Sequence, residues 1–60
     1  MSENIWYIKQ ELVLAALSVV TNEIAAELSP GDPRAEAATE YAEERLADRA
    51  RRFIAAREGH

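Results

Sequence analysis

The chain has 60 residues, no cysteine, one histidine and a net charge of −4 at pH 7. A domain of this length buries only about 60% of the surface that its unfolded chain exposes, so it needs a further source of stability. Without cysteine, and with its only histidine at position 60, the chain offers neither a disulfide nor a structural zinc site. Oligomerisation or unusually regular helix packing is left as the source. The acidic balance argues against general attraction to nucleic acid or anionic lipid.

The first predicted element is a helix over about residues 3–28, and it carries most of the apolar side chains. Twelve of the sixteen large aliphatic or aromatic residues that follow Met1 lie between Ile5 and Leu28. Ser2, with Asn4 as the alternative, is expected to cap the first turn by accepting a hydrogen bond from a free amide.

Two rows of apolar residues run along this helix. The row predicted to form the hairpin core consists of Trp6, Val13, Leu17, Val20, Ile24 and Leu28. The row predicted to form the oligomer interface consists of Ile5, Ile8, Leu12, Ala16 and Val19. At about 100° per residue the two rows cover more than half of the helix circumference, which exceeds the stripe of a one-sided surface helix. We therefore expect this helix to contact at least two neighbours.

Residues 29–32 are predicted to form the loop of a helical hairpin. Pro30 disfavours helical geometry in the residue before it, so the first helix should end there. Gly31 can adopt a positive φ without steric cost. Asp32 can cap a second helix whose first residue is Pro33, where the missing amide costs nothing. A loop this short requires the two helices to run antiparallel and side by side.

The second predicted helix, residues 33–57, is built mostly from Ala, Glu and Arg, which are strong helix formers. Its small apolar stripe is predicted to complete the hairpin core with Ala38, Ala42, Leu46 and Phe53. The sequence therefore predicts an all-α fold in which residues 1–60 form one antiparallel two-helix hairpin. We expect the hairpin to assemble into a homo-oligomeric helical bundle, with a dimer as the expected state.

No residue constellation predicts catalysis or a cofactor. Glu40, Glu43 and Glu44 form the densest carboxylate group, but no histidine lies three residues after any glutamate, as di-metal helix bundles require. The serines have no base near them in the sequence, and no glycine-rich loop could hold a phosphate. We therefore expect no metal, no cofactor, no small-molecule substrate and no enzymatic activity.

The alternative functional signal is a group of arginines near the end of the chain: Arg45, Arg49, Arg51, Arg52 and Arg57. Such residues can contact phosphates, and hairpin dimers that bind RNA are known among plasmid regulators. Glu44 and Asp48 partly cancel this charge, and basic residues late in a helix also suit the helix dipole. Nucleic acid is therefore not the expected partner. A natural small regulatory hairpin that binds a protein or RNA partner remains the alternative to self-assembly.

A membrane partner and a secretory leader are not expected. The N-terminus lacks the basic region and the cleavage site of a signal peptide. The longest uninterrupted apolar run, Leu12 to Leu17, is far shorter than the ~20 residues of a membrane span. The sequence thus predicts a soluble, cytoplasmic chain.

Four features taken together give the chain a recognisable style. They are the connector Ser29-Pro30-Gly31-Asp32-Pro33, the Ala/Glu/Arg filling of residues 33–57, the lack of cysteine, and two predicted helices of similar length. In these features the whole chain resembles computationally designed (de novo) helical-hairpin homo-oligomers. The resemblance implies self-assembly without a substrate, and it carries no functional residues.

Overall fold

In the computed structural model, which describes residues 4–59, the chain forms two α-helices joined by a short loop. Helix α1 spans Ile5–Leu28 and helix α2 spans Pro33–Glu58. No strand occurs in residues 4–59. The prediction of two helices packed together in an all-α chain is confirmed. The end of α1 and the start of α2 fall where the sequence predicts them, and α2 continues one residue beyond the predicted end.

Asn4 caps the first turn of α1. Its side-chain oxygen accepts a hydrogen bond from the backbone N–H of Trp6 at 3.0 Å, which satisfies one of the amides that a helix start leaves free. The structure therefore uses the alternative cap. The first candidate, Ser2, and the predicted helix start at residue 3 lie outside the described residues.

The loop has the conformation that its residues favour. Gly31 has a φ of +82°, which residues with a Cβ rarely adopt. The side-chain oxygen of Asp32 accepts a hydrogen bond from the N–H of Arg34 at 3.0 Å, and Pro33 occupies the first position of α2. The N–H of Asp32 also donates to the carbonyl of Ser29 at 3.1 Å, which closes the turn.

Two contacts between the helices define their relative direction. The hydroxyl of Thr39 donates to the backbone carbonyl of Asn22 at 3.2 Å, and Nη1 of Arg52 donates to Oε1 of Glu11 at 3.3 Å. Asn22, late in α1, contacts Thr39, early in α2, whereas Glu11, early in α1, contacts Arg52, late in α2. The helices are therefore antiparallel. The resulting hairpin is an elongated rod with Cα extents of 45 × 14 × 13 Å.

The seam between the helices follows a heptad pattern, in which the sequence spacing alternates between four and three. On α1 the seam contains Ile8, Leu12, Ala15, Val19, Asn22 and Ala26, and on α2 it contains Ala35, Thr39, Ala42, Leu46, Arg49, Phe53 and Ala56. This spacing is that of a coiled coil. The register set by the Thr39 contact places Val19 level with Ala42 and Ala15 level with Leu46. At these two levels a larger side chain opposes an alanine, whereas Ile8 is level with Phe53 and Ala26 with Ala35.

The assignment of the two apolar rows of α1 was wrong within the chain. Ile8 and Val19, predicted for the oligomer interface, are buried between the helices, and Leu12 and Ala16 are half-buried, whereas Ile5 is exposed. Every α1 residue predicted for the hairpin core is exposed: Trp6, Val13, Leu17, Val20, Ile24 and Leu28. Ala38 is also exposed, so Ala42, Leu46 and Phe53 are the predicted core residues that lie in the seam.

The exchange of the rows has a packing reason. Periodicity identifies both rows but does not say which one meets α2. The seam row includes Ala15, which leaves room for the larger Leu46 that α2 places opposite it. The other row consists of large side chains only, and it offers no small position where Leu46 could fit. Close packing of the interior favours the row whose sizes complement the partner.

Candidate functional site

One surface of α1 carries six large apolar side chains that α2 does not cover. We call it the outer face and define it as Trp6, Val13, Leu17, Val20, Ile24 and Leu28. Its side chains are large and apolar, yet Trp6 is 64%, Leu17 57% and Leu28 80% exposed. At about 100° per residue, the outer face lies about 150° around the helix from the seam. Helix α1 is thus apolar on two nearly opposite sides, of which α2 covers one.

Thr21, which lies beside the outer face, has its hydroxyl satisfied within α1 itself. The hydroxyl donates to the carbonyl of Leu17 at 2.9 Å, one turn earlier. On the seam side of the helix, the amide of Asn22 donates to the carbonyl of Ser18 at 2.8 Å in the same way. These side chains fold back along the helix, as Ser, Thr and Asn do when they compete for backbone groups. Thr21 therefore borders the outer face without adding an unsatisfied polar group to it.

Helix α2 offers no comparable face among the described residues. Its exposed large apolar residues are Tyr41 and Ile54, which are 62% and 53% exposed. Thirteen residues separate them, so at about 100° per residue they point in directions about 140° apart. The unsatisfied apolar surface of the hairpin is therefore concentrated on α1.

The two long sides of the hairpin differ in charge. On one side, a groove of about 460 Å³ is lined by five carboxylates, Glu23, Glu27, Glu36, Glu40 and Glu43. None of these carboxylates forms an ion pair with another described residue. On the other side, a groove of about 360 Å³ is lined in part by Arg45 and Arg49, together with Glu11 and Tyr7. Charge thus distinguishes one flank of α1 from the other.

The five late arginines do not gather into one basic surface. Arg51 lies 3.5 Å from the carboxylate of Asp48, and Arg52 lies 3.3 Å from that of Glu11. The guanidinium carbons of Arg45 and Arg57 lie 5.9 Å and 5.8 Å from the ring centres of Tyr41 and Phe53, within cation–π range. Arg49 is half-buried in the seam. Four of the five arginines therefore already contact a carboxylate or an aromatic ring within the chain.

The candidate metal group is spread over exposed positions of α2. Glu40, Glu43 and Glu44 are all exposed, and within residues 4–59 no three His, Cys, Asp or Glu side chains are grouped so that they could hold a metal ion. In the same residues, neither helix combines the length and the apolar character needed to cross a membrane.

Sequence reasoning missed several seam residues: Ala15, Asn22, Ala26, Thr39, Arg49 and Ala56. They are small or polar, so a search for large apolar residues passes over them. The signal that could have found them is the regular alternation of four and three, which persists through both helices even where the residue is not apolar. Once the seam residues of α1 are assigned by this pattern, most of its remaining large apolar residues form the outer face.

Comparison with protein-family models, with curated protein sequences and with solved structures found no match to this chain.

Proposed function

We propose that this chain functions by self-association through the outer face of α1, forming a homo-oligomeric helical bundle whose simplest form is a dimer. The observation that carries the proposal is the concentration of exposed large apolar side chains on one face, opposite to the seam. Proteins that stay monomeric in water rarely expose a large contiguous apolar patch, and such patches mark interaction surfaces. The proposed assembly needs no substrate and no cofactor.

A second copy of the chain is the partner that best fits this face. Burying a Val, Leu or Ile side chain contributes about 1.5–3 kcal/mol, and a two-fold contact buries the same residues on both copies at once. The seam alone is rich in alanine, and few side chains in it are fully buried. A 60-residue chain with so thin a core has little stability of its own, so association would supply a large share of the total.

The alternative, a regulatory hairpin that binds RNA, has less support. Its candidate arginines are paired with carboxylates, placed over aromatic rings or held in the seam. A phosphate ligand would have to compete with those contacts. Self-assembly without a substrate is also what the resemblance to designed helical-hairpin oligomers implies, and a designed origin remains part of this proposal.

The test places one negative charge on the outer face. In Leu17→Glu or Val20→Glu the charge would be buried without a partner at the proposed contact, which costs several kcal/mol. We expect both variants to lose the oligomer in sedimentation equilibrium at micromolar concentration. Matched controls carry the same charge elsewhere: Ala25→Glu on the side of α1, and Ala47→Glu on α2, both at exposed positions.

The controls should keep the mass of the unmodified protein, because their charge remains in water. If Leu17→Glu kept the oligomer while Ala47→Glu dissociated it, the contact would lie on α2 and the proposal would be wrong.

A further inference from the structure

We infer that the two copies associate antiparallel along α1, with the two-fold axis passing near Leu17. This inference rests on the proposed self-association and specifies its geometry. Trp6 and Leu28, which end the outer face, each lie eleven residues from Leu17 in the sequence. The outer face is therefore centred on Leu17, and a two-fold axis there superimposes the face of one copy on that of the other.

In this arrangement each residue meets the one that is equally far from Leu17 on the other side. Trp6 lies against Leu28 of the partner subunit. The largest side chain of the face thus covers its most exposed one, since Leu28 is 80% exposed in the single chain.

Charge on one flank of α1 also favours the antiparallel direction. At about 100° per residue, Lys9, Glu23 and Glu27 lie along the same flank. A two-fold axis perpendicular to two antiparallel helices brings like flanks together. Lys9 then lies between Glu23 and Glu27 of the partner subunit, because it precedes Leu17 by eight residues while they follow it by six and ten.

These three side chains have no charged partner within residues 4–59. Lys9, Glu23 and Glu27 form no ion pair with any other described residue. A parallel pair of α1 helices would instead place this flank against the opposite one. There Lys9 would meet the uncharged side chains around Tyr7 and Gln10, and the acids would stay unpaired. The antiparallel pair therefore matches opposite charges at both ends of the contact, once for each copy.

The position of the outer face also determines the order of the four helices. Because the outer face and the seam lie about 150° apart on α1, the partner's α1 packs on the side away from α2. The two α1 helices are then central and the two α2 helices are outermost, in a layer rather than a square bundle.

Introduced cysteines test the direction directly, because the chain has no cysteine of its own. A disulfide needs Cα atoms within about 7 Å. In Leu17→Cys the thiols of two copies meet near the axis, so oxidation should join the chains. In Leu28→Cys the thiols of an antiparallel pair are about 33 Å apart, from a rise of 1.5 Å per residue over 22 residues, and should not join. An equimolar mixture of Trp6→Cys and Leu28→Cys should join as a mixed dimer.

Each outcome separates the inference from the proposed function on which it rests. If Leu28→Cys joined to itself as readily as Leu17→Cys, α1 would form the contact in parallel and the antiparallel inference would fail alone. If Leu17→Cys failed to join while the unmodified chain had the mass of an oligomer, the axis would not pass near Leu17 and the inference would fail. The proposed function would fail with it only if Leu17→Glu also kept the oligomer. A monomeric mass for the unmodified chain would overturn the proposed function first.

Discussion

At the scale of single residues, Ile8 and Leu28 show how differently two aliphatic side chains of one helix can act. Ile8 is 1% exposed, against 80% for Leu28, although both belong to α1. Ile8 packs in the seam and stabilises the hairpin itself. Leu28 contributes nothing comparable within the hairpin, and in the proposed oligomer a second copy would cover it. Removing each side chain should therefore change a different property.

Truncation of these two residues gives a paired prediction. Ile8→Ala removes buried methylenes and should lower the free energy of unfolding by about 2–5 kcal/mol. For a chain of marginal stability that loss abolishes the cooperative thermal transition seen by circular dichroism. Leu28→Ala should keep its helical signal at high concentration and instead shift the monomer–oligomer midpoint to a higher protein concentration. Equal losses of helical signal in both variants would contradict this division of roles.

At the scale of elements, the connector is the part of the chain where local chemistry decides the structure. Gly31 adopts a φ of +82°, and a Cβ built at this position would meet no atom within 4 Å. The cost of a side chain there is therefore purely one of backbone conformation. Asp32 then caps α2, which begins at Pro33, so only four residues connect the two helices.

Substitution of Gly31 tests that reading. Gly31→Ala should lower the free energy of unfolding by about 1 kcal/mol, because alanine disfavours a positive φ. Gly31→Asn should cost less, since asparagine visits the left-handed region more readily. Urea titrations at equal protein concentration would measure both, because the stability of an oligomer depends on concentration. An equal loss of unfolding free energy in Gly31→Asn and Gly31→Ala would contradict this explanation. The cost would then arise from something other than the positive φ.

The helices and their connector could be predicted from the sequence because their causes are local. Asp32 and Pro33 signal a helix start, and Pro30 with Gly31 signals the turn, without knowledge of any distant residue. The choice of face could not be predicted in this way. Whether Val19 or Val20 packs against α2 depends on the sizes of Ala42 and its neighbours, which lie more than twenty residues away. Helical periodicity identifies both rows but does not determine which of them packs against α2.

The polar seam positions escaped prediction for a related reason. Asn22 and Thr39 look like surface residues in the sequence, and only the antiparallel register brings them to the same level, where the Thr39 hydroxyl donates to the Asn22 carbonyl. Polar groups in a coiled-coil seam often help to specify register. Here they lie near the loop end of the seam, one level beyond Ala26 and Ala35.

At the scale of the whole molecule, the hairpin is a rod in which α1 is covered by α2 on one side and exposes apolar side chains on the other. Its seam packs α1 against α2, and an ion pair between Glu11 and Arg52 joins the two helices beside it. Its outer face leaves large apolar side chains in water, which a thin 45 Å rod has no further element to cover within residues 4–59. The proposed pairing of two α1 helices would convert two such rods into one layer with a continuous apolar interior.

The measurement that bears most directly on this account is the mass of the unmodified chain in solution. Sedimentation equilibrium at micromolar concentration should give twice the chain mass of 6.7 kDa, and the value should fall towards 6.7 kDa on dilution. The Leu17→Glu variant, run beside it, should stay at 6.7 kDa throughout. A folded, unmodified chain with a mass of 6.7 kDa at that concentration would contradict the account. The hairpin would then be stable as a monomer with its outer face exposed to water.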